Sequence, residues 1–250
     1  MNDITSYFRD YNYAHFDFTK ESLEKLHWHE HAPALGATVE DFELPVIDGN
    51  EWRLSDCLGA PVVIEFGSFT CPIFCGRIEA MEDLAASFPD ATFVIIYVRE
   101  AHPGEVTPSH DGMEDKIAAA TRLQSSEQIQ REILLDHVNG SIHRRFGANY
   151  NGVFVLDAQA RVVLRRRWNE PSDVRRALSA FADGRYPVPS DALSFGTPCD
   201  RLPPGEEILN RGGVQALVDF ASNAPTGIAR MLEASSTRVR QCLEIGLHSS

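Results

Sequence analysis

Three short apolar runs rich in β-branched residues organise the middle of the chain, at residues 61–66, 92–98 and 133–136. Runs of this length, bounded by polar or turn-forming residues, predict buried strands. Between them the apolar spacing becomes helical. Pro72 opens a segment to about Phe88 in which Ile78, Met81, Leu84, Ala85 and Phe88 recur at that spacing. Proline suits a first helical turn because its missing N–H would have had no partner there. A second helix over 113–123 sets Ile117, Ala120 and Leu123 on one face, and a short one covers 141–146. Residues 153–156 and 162–165 flank Asp157-Ala158-Gln159-Ala160 as a hairpin, and Pro171 opens a last helix to about Ala182. The order strand, helix, strand, helix, strand, helix, hairpin, helix predicts an α/β sandwich with a mixed sheet.

The flanks are less regular. Residues 19–31 predict a helix with Thr19 as N-cap, ended by Pro33. Residues 42–44 and 52–54 predict short strands joined through a turn at Asp48-Gly49-Asn50. Downstream, residues 184–205 are rich in Pro and Gly and read as a linker. Two helices follow over 206–221 and 226–245, the first weakened by Gly212-Gly213. The apolar stripe of the second (Ile228, Leu232, Val239, Cys242, Leu243) either covers a bare face of the same domain or pairs two chains as a homodimer. The organisation is therefore an N-terminal helical extension over 1–33, a core domain over 34–183 and a C-terminal linker and helical extension over 184–250.

Charge narrows the function. A formal net charge of −13 over 250 residues argues against nucleic acid, whose phosphates need clustered Lys and Arg, and against an anionic membrane surface. The one basic run, Arg165-Arg166-Arg167, reads as a solvated face. The N-terminus has neither a basic nor an apolar signal region, and no apolar run is long enough to span a bilayer, so a cytoplasmic protein is expected. Five cysteines (57, 71, 75, 199, 242) are too sparse for a disulfide framework. In a reducing compartment the close pair Cys71 and Cys75 points instead to catalysis or redox sensing. His27, His29 and His31 read as a polar helix end, and no metal is expected.

Cys71 lies between a buried strand and a helix N-terminus, where backbone N–H groups and the helix dipole favour negative charge. That setting is expected to lower its pKa and raise its nucleophilicity. Ser68 and Thr70 are placed to offer hydroxyls to the same sulfur. Cys75, one helical turn on, lies about 6 Å away between Cα atoms, within disulfide range. It is a candidate to resolve an oxidised Cys71.

The segment Phe66-Gly67-Ser68-Phe69-Thr70-Cys71-Pro72-Ile73-Phe74 resembles the active-site stretch of the iodothyronine deiodinases, Asn-Phe-Gly-Ser-Cys-Thr-selenocysteine-Pro-Pro-Phe. The run Val94 to Pro103, ending Glu100-Ala101-His102-Pro103, is similar to that family's strand and loop ending Glu-Ala-His-Pro. The likeness covers roughly residues 60 to 183 and implies a thioredoxin-like mixed sheet flanked by helices, related to peroxiredoxins. It further implies that Cys71 stands at the selenocysteine position, with Ser68 as helper hydroxyl and Glu100 and His102 as the proton-handling pair, His102 oriented by Glu100. Phe69, Phe74 and His110 would then meet the substrate, although from the residues alone His110 reads as a surface loop histidine. Phe69 stands where the family has cysteine, and Asn151 where it has a glutamate. The implied activity is reductive dehalogenation of an iodinated phenol-type small molecule by a cysteine-based oxidoreductase. No cofactor is implied beyond an external thiol or thioredoxin-type reductant. The alternatives are a peroxiredoxin-like thiol peroxidase or disulfide reductase, for which Ser68 fits the usual hydroxyl position but Ile64 replaces the proline, and a non-catalytic redox sensor or interaction module.

Overall fold

In the computed structural model the described residues are 11–16, 28–147, 151–185 and 205–223. The expectations for residues 19–27, 186–204 and 226–245, including Cys199 and Cys242, lie outside them.

Strand β3 (Val62–Gly67; β1, Glu43–Pro45, and β2, Glu51–Arg53, precede it) is buried along its whole length. A strand covered on both faces needs partners on both edges and helices above and below. It pairs in parallel with β4 (Thr92–Tyr97), which pairs in parallel with β5 (Glu132–Leu135). On its other edge lies antiparallel β6 (Val153–Leu156), hairpinned to β7 (Val162–Arg166). The sheet order is β5-β4-β3-β6-β7. β1 and β2 form a separate antiparallel pair, their Leu44 and Trp52 packing against Ile64, Phe66 and Phe154 on one face of the sheet. The opposite face packs on helix α3 (Ile78–Ser87) through Met81 and Leu84, on α4 (Met113–Glu127) through Ala119, Ala120 and Leu123, and on α6 (Pro171–Ala182) through Val174 and Leu178. Helices α1 (Trp28–His31), α2 (Pro72–Cys75) and α5 (Ser141–Arg145) are single turns. Among the described residues no helix is long and apolar enough to cross a membrane.

Four expectations change. The helix expected over 72–88 is broken into α2 and α3 by Gly76 and Arg77, where glycine's low helix propensity coincides with Arg77 Nε donating to the Asn169 carbonyl at 3.1 Å. Ile117 is exposed, and the buried face of α4 begins one residue earlier, at Lys116. An aliphatic stem makes that possible, because the Lys116 ammonium donates to the Asp136 and His137 carbonyls at 2.9 and 3.3 Å. The Arg165-Arg166 run is buried instead of solvated: Arg165 donates to the Ala32 and Pro33 carbonyls, and Arg166 pairs with Asp173 of α6. The weak point at Gly212-Gly213 is a full break between α7 (Gly205–Asn210) and α8 (Val214–Asn223), with Gly213 left-handed at φ 103°.

A carboxylate also sits inside the sheet. Glu65 of β3 is fully buried and accepts from Arg131 at 2.8 Å and from the Asn169 amide. Arg131 also donates to Glu82 at 2.8 Å, so the group ties β3 to α3 and to the residue before β5. Paired in this way, the buried charge is tolerated; unpaired it would not be.

Gly67 ends β3 beneath the ring of Phe74, and a Cβ there would lie 2.3 Å from that ring. Phe74 is itself fully buried and cannot swing aside. Gly67→Ala should therefore cost about 1–3 kcal/mol, read as a lower denaturation midpoint, with a larger loss for Gly67→Val.

Candidate active site

Residues 68–71 connect the end of β3 to α2, and a buried carboxylate holds them in place. Glu100, just past β4, accepts from the Thr70 N–H at 3.0 Å and the Thr70 hydroxyl at 2.7 Å through one oxygen. Its other oxygen takes the Tyr97 hydroxyl and lies 3.2 Å from His110 Nε2. The Tyr97 hydroxyl in turn accepts from the Phe69 N–H at 3.1 Å. The loop also binds the chain after Glu100: Ala101 N–H donates to Ser68 Oγ at 3.1 Å, and His102 N–H to Thr70 Oγ1 at 3.0 Å. Burial opposes charge on Glu100, but the hydrogen bond and charge of His110, with the Tyr97 and Thr70 hydroxyls, outweigh it and hold the carboxyl below its usual range.

Cys71 is the N-cap of α2 and only 2% exposed. Its expected low pKa is not realised in this closed arrangement. Burial pushes the thiol up to about 12, while the Phe74 and Ile73 N–H groups oppose it and Glu100 and Glu65 add to it. The helix end acts in the expected direction and is outweighed by desolvation. The hydroxyls of Ser68 and Thr70 are engaged with Ala101, His102 and Glu100, where they shape the loop. Cys75 is buried at the end of α2, its thiol facing the Phe69 and Ser68 carbonyls at 3.8 and 4.0 Å, with Arg211 Nη1 at 3.5 Å.

The histidines exchange places relative to expectation. Glu100 contacts His110, which is buried instead of lying on a surface loop. The His102 ring lies between Phe16, at 4.2 Å, and Phe220, at 5.4 Å between centroids. Its Nδ1 has no hydrogen-bond partner among the described residues, and burial pushes its pKa down to about 3. Phe74 belongs to the core under Gly67. Phe69 is enclosed between the guanidinium groups of Arg122 and Arg211, 4.7 and 4.5 Å from its ring centroid. Asn151 is buried on a bridge to Trp168, and its side-chain oxygen accepts from the Asn169 N–H.

Tyr97, Arg122, Arg211 and the two covering phenylalanines were not anticipated. Tyr97 had a usable signal, because a tyrosine at the end of a buried strand needs a partner for its hydroxyl. Arg211 had none, since it comes from a break between two helices far from either motif.

A cysteine capping the helix that follows the central strand of this mixed sheet is the layout of a thioredoxin-like fold. The family model for iodothyronine deiodinase matches residues 43–178, more than half of the chain, and the chain belongs to that family. It is similar to thyroxine 5-deiodinase from Sparus aurata, 26% identical over 189 residues that cover 67% of this chain and 70% of that protein. The Ovis aries enzyme of the same name is 32% identical over 153 residues, 57% of this chain and 49% of that one. The chain thus spans about half the length of the Ovis aries and Bos taurus enzymes, and 35% of the Homo sapiens one. Among solved structures, an uncharacterized conserved protein from Geobacillus kaustophilus superposes with TM-score 0.53 at 22% identity, over 64% of this chain and 87% of that one. A hypothetical protein from Sinorhizobium meliloti 1021 gives 0.52 at 19%, over 66% and 97%. These two likenesses concern the fold. Residues 205–223 lie beyond the family match.

The burial of His102 has a measurable consequence. Its folded pKa lies below the ordinary 6.5, so the unfolded chain binds the extra proton first. Its contribution to stability is complete above about pH 6.5 and is lost as the pH falls towards 3. The denaturant midpoint should decline over that window, and His102→Leu should flatten the decline.

Proposed function

We propose that the protein is a thiol-dependent reductive dehalogenase acting on an iodinated phenol-type small molecule. The observation that carries the reading is the buried Glu100 carboxylate, which fixes the Cys71 loop through Thr70 and Tyr97 and meets His110 on the same side chain. One group thereby positions a nucleophile and a proton carrier together, as the cleavage of an aryl–iodine bond requires.

The Cys71 thiolate attacks iodine, forming an S–I bond, and the electron pair of the broken C–I bond passes to the aryl carbon. That carbon takes a proton. His110 is the donor in this scheme: its Nε2 faces Glu100, and its buried Nδ1, with no partner among the described residues, is the atom at which a proton is handed on. A second thiol displaces iodide from the sulfenyl iodide, leaving a disulfide, and an external thiol or thioredoxin-type reductant returns two electrons.

The site must open for this to happen. In this proposal the aryl ring enters where Phe16 and Phe220 now pack on the His102 ring. Opening also brings water to Cys71 and removes the burial that raises its pKa, so the Ile73 and Phe74 N–H groups then dominate. Substrate entry and thiol activation are one event.

With dithiothreitol as reductant, iodide release from a panel of iodinated phenols should be abolished by Cys71→Ser. Glu100→Gln should lower kcat by about 100-fold, as expected for a lost proton-transfer arrangement. Release that persists in Cys71→Ser, or no release from the wild-type protein across the panel, would count against the proposal.

A further inference from the structure

The second thiol of the cycle is the step that the residues outside the family match address. Cys75 ends α2, and the chain leaves the helix immediately after it through Gly76. Its N–H donates to the Cys71 carbonyl at 3.0 Å, so the two cysteines occupy one helical turn with a break directly behind them. Joining the two sulfurs requires this turn to rearrange, and the break behind Cys75 is the place where the chain can give.

Arg211, between α7 and α8, reaches into this turn. Its Nη1 lies 3.5 Å from Cys75 Sγ and 3.2 Å from the Phe69 carbonyl, and its guanidinium stacks on the Phe69 ring. Nη2 pairs with Glu127 at the end of α4. The break that carries it is anchored on its other side: the Thr107 hydroxyl donates to the Arg211 carbonyl at 2.6 Å, and Val106 N–H to the Gly212 carbonyl at 3.0 Å. The Val214 and Gln215 N–H groups, at the start of α8, donate to the Glu105 carboxylate. The backbone that carries the guanidinium is therefore held by residues 105–107 of the loop that also carries His102 and His110.

We propose that Arg211 is a positioning residue that makes Cys75 the resolving thiolate for Cys71. This deepens the dehalogenase reading and rests on it for the identity of the oxidised species. In the step, Cys75 loses its proton to solvent and its thiolate attacks Cys71 Sγ of the sulfenyl iodide. The S–I bond breaks, the S–S bond forms, and iodine departs as iodide carrying the electron pair. Two external thiols then reduce the disulfide.

In the resting site, burial raises the Cys75 pKa well above its ordinary value, Arg211 opposes this, and Cys71, Glu127 and Glu100 add to it. Tyr97 is a further titratable side chain close to it, and Arg122 packs on the Phe69 ring. Arg211 is thus the cation in direct contact with the sulfur, and the thiolate it favours is the species that attacks.

The test uses the full chain. In the Cys71→Ser protein, iodoacetamide labelling of Cys75 is followed by mass spectrometry across pH. In the protein with both cysteines, formation of the Cys71–Cys75 disulfide is followed after one equivalent of diamide. Arg211→Met should slow both about tenfold at neutral pH and move the Cys75 labelling profile to higher pH, and Arg211→Lys should restore most of the rate. An unchanged rate and profile in Arg211→Met would overturn the proposal. So would faster labelling, which would make the arginine a mere cover, or an equal loss in Arg211→Lys, which would remove charge as the cause. Neither assay uses an iodinated phenol. Absent iodide release with an intact Arg211 effect therefore sinks the dehalogenase reading alone, and the converse sinks only this one.

Discussion

A single buried carboxylate holds the reactive end of this molecule together. Glu100 lies beyond the last residue of β4, where a charged group without partners would be driven to protonate or to escape to water. It does neither, because a backbone N–H, two hydroxyls and an imidazole converge on it. Each donor belongs to a different piece: Thr70 to the cysteine loop, Tyr97 to the strand, His110 to the loop before α4. The loop's shape follows from satisfying that one charge. So does the separation of duties between the two histidines, since only His110 has room at the carboxylate.

Much of this was legible beforehand. The five strands of the main sheet follow from short apolar runs whose burial on both faces leaves one arrangement open. The cysteine loop and the Glu-Ala-His-Pro stretch announce themselves as local strings, and both lie where strings of that kind end strands. What was not legible depends on partners remote in sequence. Nothing in Arg165-Arg166 says that Ala32, Pro33 and Asp173 wait for it, so a run of cations looked like a wet face. Lys116 in place of Ile117 on the buried side of α4 reverses the usual preference, because two backbone carbonyls sit at the reach of its stem.

The thiol itself shows how two correct local arguments compete. A helix N-terminus lowers a thiol's pKa, and desolvation raises it; both act on Cys71, and in the closed state desolvation is larger. Sequence exposes the first effect, since proline after cysteine marks the helix start. It hides the second, because the cluster that buries Cys71 includes residues far from the motif, such as Phe16 and Phe220. Burial therefore works against the thiolate that the helix start favours at the same sulfur.

The segment containing α7 and α8 contributes Ile208, Leu209, Leu217 and Phe220 to the cluster that includes Cys71 and Cys75. The segment falls outside the 43–178 stretch that defines the family. The cysteine loop and the residues that α7 and α8 pack beside it are therefore carried by different parts of the chain. On the proposed dehalogenase reading, substitutions in α7 and α8 would change what reaches the thiol without touching the loop that holds it.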